Sequence, residues 1–138
     1  MHRVFTHATD GPGLYEITGV VQHWLRDAPS GEAVLTLFIR HTSASLLIQE
    51  NADPSVQHDL AGFFDRLAPP ADDPTMAWMT HRSEGPDDMP AHVKAALLPA
   101  SLQIPVINGQ MMLGTWQGIY IFEHRARPQR REVVAVLR

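Results

Sequence analysis

A chain of 138 residues fits a single domain, and at that length roughly two-thirds of the unfolded chain's surface is buried on folding, so a core forms without metals or staples. The absence of cysteine excludes disulfides, thiolate catalysis, zinc ribbons and iron–sulfur clusters, which leaves His, Asp and Glu as the metal-ligand types. The net charge of -4 speaks against a general nucleic-acid binder, and no apolar run nears the roughly 20 residues of a membrane span.

The expectation is therefore a soluble cytoplasmic protein with neither nucleic acid nor membrane as partner. Met1-His2-Arg3-Val4 is not followed by the apolar core of a signal peptide. Schiff-base chemistry would depend on the single lysine, Lys94, which falls in a predicted helix.

In chain order, Arg3 to Ala8 reads as an edge strand, Asp10-Gly11-Pro12-Gly13 as a turn and Leu14 to Ile17 as the returning strand. Thr18 reads as the N-cap of a helix carrying Val20, Val21, Trp24 and Leu25 at helical spacing, stopped by Pro29-Ser30-Gly31. Leu35, Leu37, Ile39 and His41 then share one strand face. After the break Thr42-Ser43-Ala44-Ser45, the positions Leu46, Ile48 and Glu50 share another.

Asp53-Pro54 has the form of a cap followed by a proline at the first helical position, and Val56, Leu60, Phe63, Phe64 and Leu67 make the apolar stripe of the helix behind it. Ala68 to Thr75 reads as a surface loop. Pro90 opens a short helix that runs through Leu98 to Pro99. The rest is β: Leu102 to Ile107, an Asn108-Gly109 turn that favours type I′, then Gln110 to Gly114, Gln117 to Arg125 and Glu132 to Leu137. Seven or eight strands interrupted by three short helices predict an α+β domain over residues 1–138, built on a mostly antiparallel β-sandwich. Trp24 and Trp78 are expected in or near its core.

Three segments carry chemistry. The first is His41-Thr42-Ser43-Ala44-Ser45, where an imidazole at the end of an apolar strand face meets three hydroxyls suited to an anion or a metal. The bland alternative for His41 is a hydrogen-bonded core histidine beside a β-bulge. The second is His81 to His92, "HRSEGPDDMPAH", in which two histidines and three carboxylates fall within twelve residues and suit a zinc or hard-metal site with a general base. Asp88 has the competing role of capping the helix that Pro90 begins. The third is Gly114-Thr115-Trp116-Gln117, running into a strand face with Glu123 and Arg125 at its far end; polar groups at both ends of an apolar face suit a pocket lip. Glu123 and Arg125 read alternatively as an exposed ion pair. Gly118 beside Trp116 predicts the close approach of another backbone or a ligand. The run "RARPQRR" reads as a solvated tail, and His2, His7, His23, His58 and His124 as structural or surface residues. No P-loop or dinucleotide fingerprint occurs, so no organic cofactor is expected.

Taken together and in order, His41-Thr42-Ser43-Ala44-Ser45-Leu46, Glu50-Asn51-Ala52-Asp53-Pro54, the His81 to Lys94 segment, Gly114 to Ile119 and Glu123-His124-Arg125 resemble the YjbQ family, also described as secondary thiamine-phosphate synthases. The resemblance covers essentially the whole chain. It implies a sandwich-like fold assembled as a homotrimer, with a polar pocket near the subunit boundary. It also implies a low-level transferase activity that couples a hydroxymethylpyrimidine pyrophosphate to a thiazole phosphate.

On that expectation His41, His81 and His92 converge, on a divalent ion such as zinc or magnesium, with Glu50 and Asp88 assisting as acid-base groups. Thr42, Ser43, Ser45, Asn51, Thr115, Trp116, Gln117, Glu123 and Arg125 would bind a phosphorylated small molecule, with donors placed for a departing pyrophosphate. The competing expectations are a metal-dependent hydrolase of a phosphorylated small molecule and a non-catalytic trimeric protein that binds a metal or small ligand.

Overall fold

The alternation read in the strands closes into two facing sheets. The computed structural model describes residues 1–138 and contains β1 (His2–Thr9), β2 (Gly13–Glu16), α1 (Thr18–Trp24), β3 (Glu32–Ile39), β4 (Ala44–Glu50), α2 (Pro54–Leu67), α3 (Asp88–Leu97), β5 (Ser101–Ile107), β6 (Gln110–Met111), β7 (Gln117–Glu123) and β8 (Gln129–Leu137). One sheet has the order β1-β8-β3-β5-β6 and the other β2-β7-β4. Every paired strand is antiparallel. The predicted α+β sandwich is the observed one.

Inward side chains at every second position form the core: Leu35, Leu37 and Ile39 of β3, Val133, Ala135 and Leu137 of β8, Ile104 and Val106 of β5, and Ile119 and Ile121 of β7. Each aliphatic side chain removed from water contributes about 1.5–3 kcal/mol. Trp24 closes one end of this core edge-on against Phe5, with ring centroids 5.8 Å apart. The Asn108-Gly109 turn has φ of 49° and 76°, the two positive values of a type I′ hairpin. A Cβ on Gly109 would also come within 2.8 Å of the Leu25 carbonyl oxygen, so the turn needs glycine for space as well as conformation.

The outer face of the larger sheet is mixed, with one apolar row between polar ones such as Thr6–Glu132 and Thr36–Gln103. Val4, Val134 and Phe38 stand in one cross-strand row, and Val34 stands beside Pro105. Val4, Val34, Phe38 and Ile107 are exposed.

Several sequence expectations give way. Thr18 begins α1 and does not cap it, because its hydroxyl accepts from the Ile119 N–H at 2.8 Å and donates to Glu16 at 2.7 Å. The α2 stripe is not a core stripe: the helix buries no residue, with Phe64 edge-on to Phe122 while Phe63 and Leu67 stay exposed. Its start is as read, since Asp53 accepts from the Ser55 N–H at 2.9 Å. Trp78 is 65% exposed and outside the core. The Ala68–Thr75 loop conceals a second small core of Ala68, Ala71, Met76 and Met79, against which Met89 and Val93 pack. That core seats α3 at the β3–β4 break.

Candidate metal centre

Asp87 and Asp88 open α3, and Asp88 and His92 stand one turn apart on one helix face. The Asp88 side chain makes no cap. It is 1% exposed, and its two oxygens divide their work. Oδ2 lies 2.7 Å from His81 Nε2 and 3.2 Å from His92 Nε2, while Oδ1 accepts from Arg125 Nη1 at 2.6 Å. Glu84 Oε2 stands 3.4 Å from His81 Nε2. One ligand atom from each of His81, Glu84, Asp88 and His92 fits within a 4.8 Å span.

Each histidine is held from behind. The Nδ1–H of His92 donates to the Thr42 carbonyl at 2.9 Å, which leaves the Nε2 lone pair of the neutral ring aimed at the Asp88 oxygen. Two acceptors at that distance require a proton or a cation between them. His81 precedes Arg82, whose guanidinium donates to the carbonyls of Met79 (3.0 Å), Ala71 (2.8 Å) and Met76 (2.9 Å). Arg82 thus pins the loop that carries His81 to the second core. Hydrogen bonding to Asp88 raises the His81 pKa above its ordinary value, more than the opposing desolvation lowers it. At Asp88 burial raises the carboxyl, but the hydrogen bond with His81 and the charges of His92 and Arg125 outweigh burial and hold it below the usual range. A pair of imidazole nitrogens with one ionised carboxylate is a donor set that fits a divalent ion.

The remaining predicted residues lie elsewhere. His41 is outside the group: its Nε2 accepts the Glu132 N–H at 2.8 Å, and burial, then the charge of Arg131, lowers its pKa. Ser43 Oγ accepts from Arg131 at 2.9 Å, and Ser45 Oγ lies 2.9 Å from His124 Nε2, both buried. Two of the three hydroxyls of the Thr-Ser-Ala-Ser segment are thus engaged within the protein, and Thr42 contributes its carbonyl to His92. Glu123 is fully buried, not half of an exposed pair, and holds Arg131 and Thr9. Burial alone would raise the Glu123 carboxyl, yet those bonds set it below its ordinary value. The "RARPQRR" run accordingly hides a core arginine, and His124, 3% exposed, is a core histidine.

Arg125 is close to the centre but spent on protein: Nε on Asp87 at 2.9 Å, Nη1 on Asp88, and Nη2 on the Glu84 carbonyl at 3.0 Å. At the other end of the β4–β7 pair, Glu50 aligns with Gln117, whereas Ala44 aligns with Glu123. Six strand steps at about 3.3 Å each put some 20 Å between those ends. Within one chain, Glu50, Asn51, Thr115, Trp116 and Gln117 thus share no pocket with His81 and His92. Glu50 caps the next turn by accepting from the Ala52 and Asp53 N–H groups, Gln117 accepts from the Gly114 N–H, and Trp116 is 63% exposed. Gly118 does meet a close neighbour, but it is the Glu16 carboxylate, 2.8 Å from where a Cβ would sit. Sequence reading counted Glu84 among three candidate carboxylates without singling it out and gave Arg82 no role, although both lie in the polar run it marked.

Fold and site define an α+β protein of two antiparallel sheets with a His/carboxylate cluster at the mouth of its third helix. The chain belongs to the YjbQ-like UPF0047 family, whose model matches residues 2–138. It is 47% identical to the UPF0047 protein sll1880 of Synechocystis over 92% of this chain and 84% of the relative, and 38% identical to the UPF0047 protein YjbQ of Escherichia coli O157:H7 over 98% and 95%. Among solved structures it resembles an uncharacterized conserved protein of the same family from Clostridium acetobutylicum, with 30% identity, TM-score 0.80 and coverage of 100% and 98%. A conserved hypothetical protein from Thermus thermophilus is similar at 31% identity, TM-score 0.80, and 99% and 98% coverage.

These relatives correct the functional expectation. They are named by family only, with no thiamine-phosphate synthase activity among the names. The geometry gives a physical reason to abandon it, because the Ser43 and Ser45 hydroxyls and the Arg125 guanidinium assigned to pyrophosphate are bonded within the protein.

Proposed function

We propose that the chain is a metal-binding protein whose centre is His81 Nε2, His92 Nε2 and Asp88 Oδ2, with Glu84 within reach of the same ion. The observation that carries this reading is the approach of two imidazole Nε2 atoms to one buried carboxylate oxygen, at 2.7 and 3.2 Å. Nitrogen donors favour zinc over magnesium, which prefers an octahedron of oxygens. When bound, the ion supplies a Lewis-acid position. Asp88 and the back-bonded His92 orient the ligand atoms for it.

A cavity of about 730 Å³ lined by Ser83, Glu84, Asp87, Arg125 and Arg127 adjoins the centre through Glu84. Its ligand class in this reading is a small phosphate-bearing molecule, for which exposed Arg127 is the free cation. Calorimetric titration with Zn²⁺ tests the metal, and a second titration of the zinc-loaded protein with inorganic phosphate tests the ligand. The expected result is one Zn²⁺ per chain, abolished in the H81A/H92A double variant; heat unaltered by that variant would refute the reading.

A second proposal concerns assembly. Exposed Val4 and Phe38, which flank half-buried Val134 in one cross-strand row of the larger sheet, support self-association of copies, as the homotrimer expected from the family resemblance. Cytoplasmic residence is part of the same reading; no helix is long and apolar enough to cross a membrane. Light scattering on wild type and V4E/F38E distinguishes an oligomer from a monomer.

A further inference from the structure

Four carboxylate oxygens on Asp87 and Asp88 lie at the mouth of α3, enough to attract an oxygen-preferring ion. Arg125 removes two of them from use. Its Nη1 binds Asp88 Oδ1 at 2.6 Å, and its Nε binds Asp87 Oδ2 at 2.9 Å, where the Ala126 N–H also donates at 2.9 Å. Its Nη2 reaches the Glu84 carbonyl at 3.0 Å, so one planar guanidinium is tied to both carboxylates and to the loop before them. The side chain is only 19% exposed. Asp88 then turns a single oxygen toward His81 and His92, with Glu84 Oε2 beside it at 3.4 Å from His81 Nε2.

We propose that Arg125 is the specificity-determining residue of this centre: by holding Asp88 Oδ1 and Asp87 Oδ2, it keeps Asp88 a one-oxygen ligand and restricts the site to nitrogen-preferring ions such as Zn²⁺ and Co²⁺, against Mn²⁺, Mg²⁺ and Ca²⁺. The inference rests on the metal-binding reading above. Calcium takes six to eight oxygens, often with a carboxylate bound through both, and magnesium and manganese favour octahedral oxygen sets. Two imidazoles and one carboxylate oxygen, with Glu84 or water as the fourth ligand, make a tetrahedral set instead. The guanidinium charge also opposes any second cation drawn to the carboxylates. Arg125 touches no ion itself; it acts through Asp88 and is a positioning residue.

The test is the visible spectrum of the Co²⁺-loaded protein together with Zn²⁺/Mn²⁺ competition, for wild type and Arg125→Gln. Wild type is expected to give the intense bands of four-coordinate cobalt. The variant, with Asp88 Oδ1 released, is expected to give the weaker bands of higher coordination and at least a tenfold shift of the Zn²⁺/Mn²⁺ affinity ratio towards manganese. A purely structural role would lower both affinities together and leave the cobalt spectrum unchanged, which would overturn the inference while leaving the metal reading intact. If wild type binds neither cobalt nor zinc, the metal reading itself falls and this inference with it. A crystal structure of zinc-loaded wild type gives an arm independent of the variant's folding: Asp88 bound through Oδ2 alone, with Oδ1 still on Arg125, supports the proposal, and two-oxygen binding by Asp88 contradicts it.

Discussion

His92 donates its Nδ1–H to the carbonyl of Thr42 at 2.9 Å, which ties the second turn of α3 to the break between β3 and β4. The tautomer is thereby fixed with Nε2 unprotonated in the neutral ring, the form a metal takes. His81, by contrast, holds its proton more firmly than an ordinary histidine because of Asp88. A metal must displace that proton, so Zn²⁺ affinity is expected to fall as pH drops and to keep rising with pH above the usual histidine range. Titrations at several pH values check this. Affinity independent of pH between 6 and 8 would argue that His81 is no ligand.

Arg82 is expected to matter to the centre although it touches none of the proposed ligands. Its removal in Arg82→Ala frees three carbonyls on the loop before His81. A tenfold to hundredfold loss of Zn²⁺ affinity is expected, roughly the cost of deleting an outer-shell support. Calorimetry reads the affinity, and circular dichroism separates this effect from global unfolding.

Breaking the Glu123–Arg131 pair should be the most damaging single change in the sandwich. Both residues are buried, and Arg131→Met leaves a carboxylate with only Thr9 and backbone N–H groups as partners. The expected loss is about 3–5 kcal/mol in urea unfolding, with part recovered in Glu123→Gln/Arg131→Met, because the uncompensated charge is then gone. Equal stability of the single and double variants would contradict this account.

His124 provides an acid-sensitive element. Burial, then the charge of Lys94, depresses its pKa from 6.5 to about 3. Below pH 6.5 the unfolded chain takes up a proton that the folded chain refuses until about pH 3, so this group's contribution is lost as pH falls through that window. The slope is about 1.4 kcal/mol per pH unit for one proton. Denaturation of wild type and His124→Gln between pH 6 and 4 should differ by that slope, and parallel curves would refute it.

The strand alternation, the Asn108-Gly109 hairpin and the Asp53 cap were legible because each follows from local spacing or local backbone chemistry. His81, Asp88 and His92 were legible as a set because eleven residues of loop and helix keep them close in the chain, and roughly one helical turn aligns the last two. What failed depended on distant partners. The period that places His41 on the inner face of β3 stops with the strand at Ile39; His41 is half-buried beyond it, and its acceptor role toward Glu132 is set by a strand 91 positions away. Glu50 ends the strand that Ala44 begins, with Asn51 just beyond it, and sequence order does not state that β4 runs straight and leaves them far from Ser43. Arg131 sits in a run that composition marks as solvated, and only the register of β8 turns it inward to Glu123. Arg82 bonds backbone carbonyls, which every residue possesses, so no residue type signals the contact.

The most direct test of the central claim is a crystal structure of zinc-supplemented protein with anomalous data collected on both sides of the zinc edge. The account predicts one ion bound by His81 Nε2, His92 Nε2 and Asp88 Oδ2, at metal–ligand distances of about 2.0–2.2 Å. Zinc-supplemented crystals with no anomalous peak at this cluster, or a peak held by other residues, would contradict it.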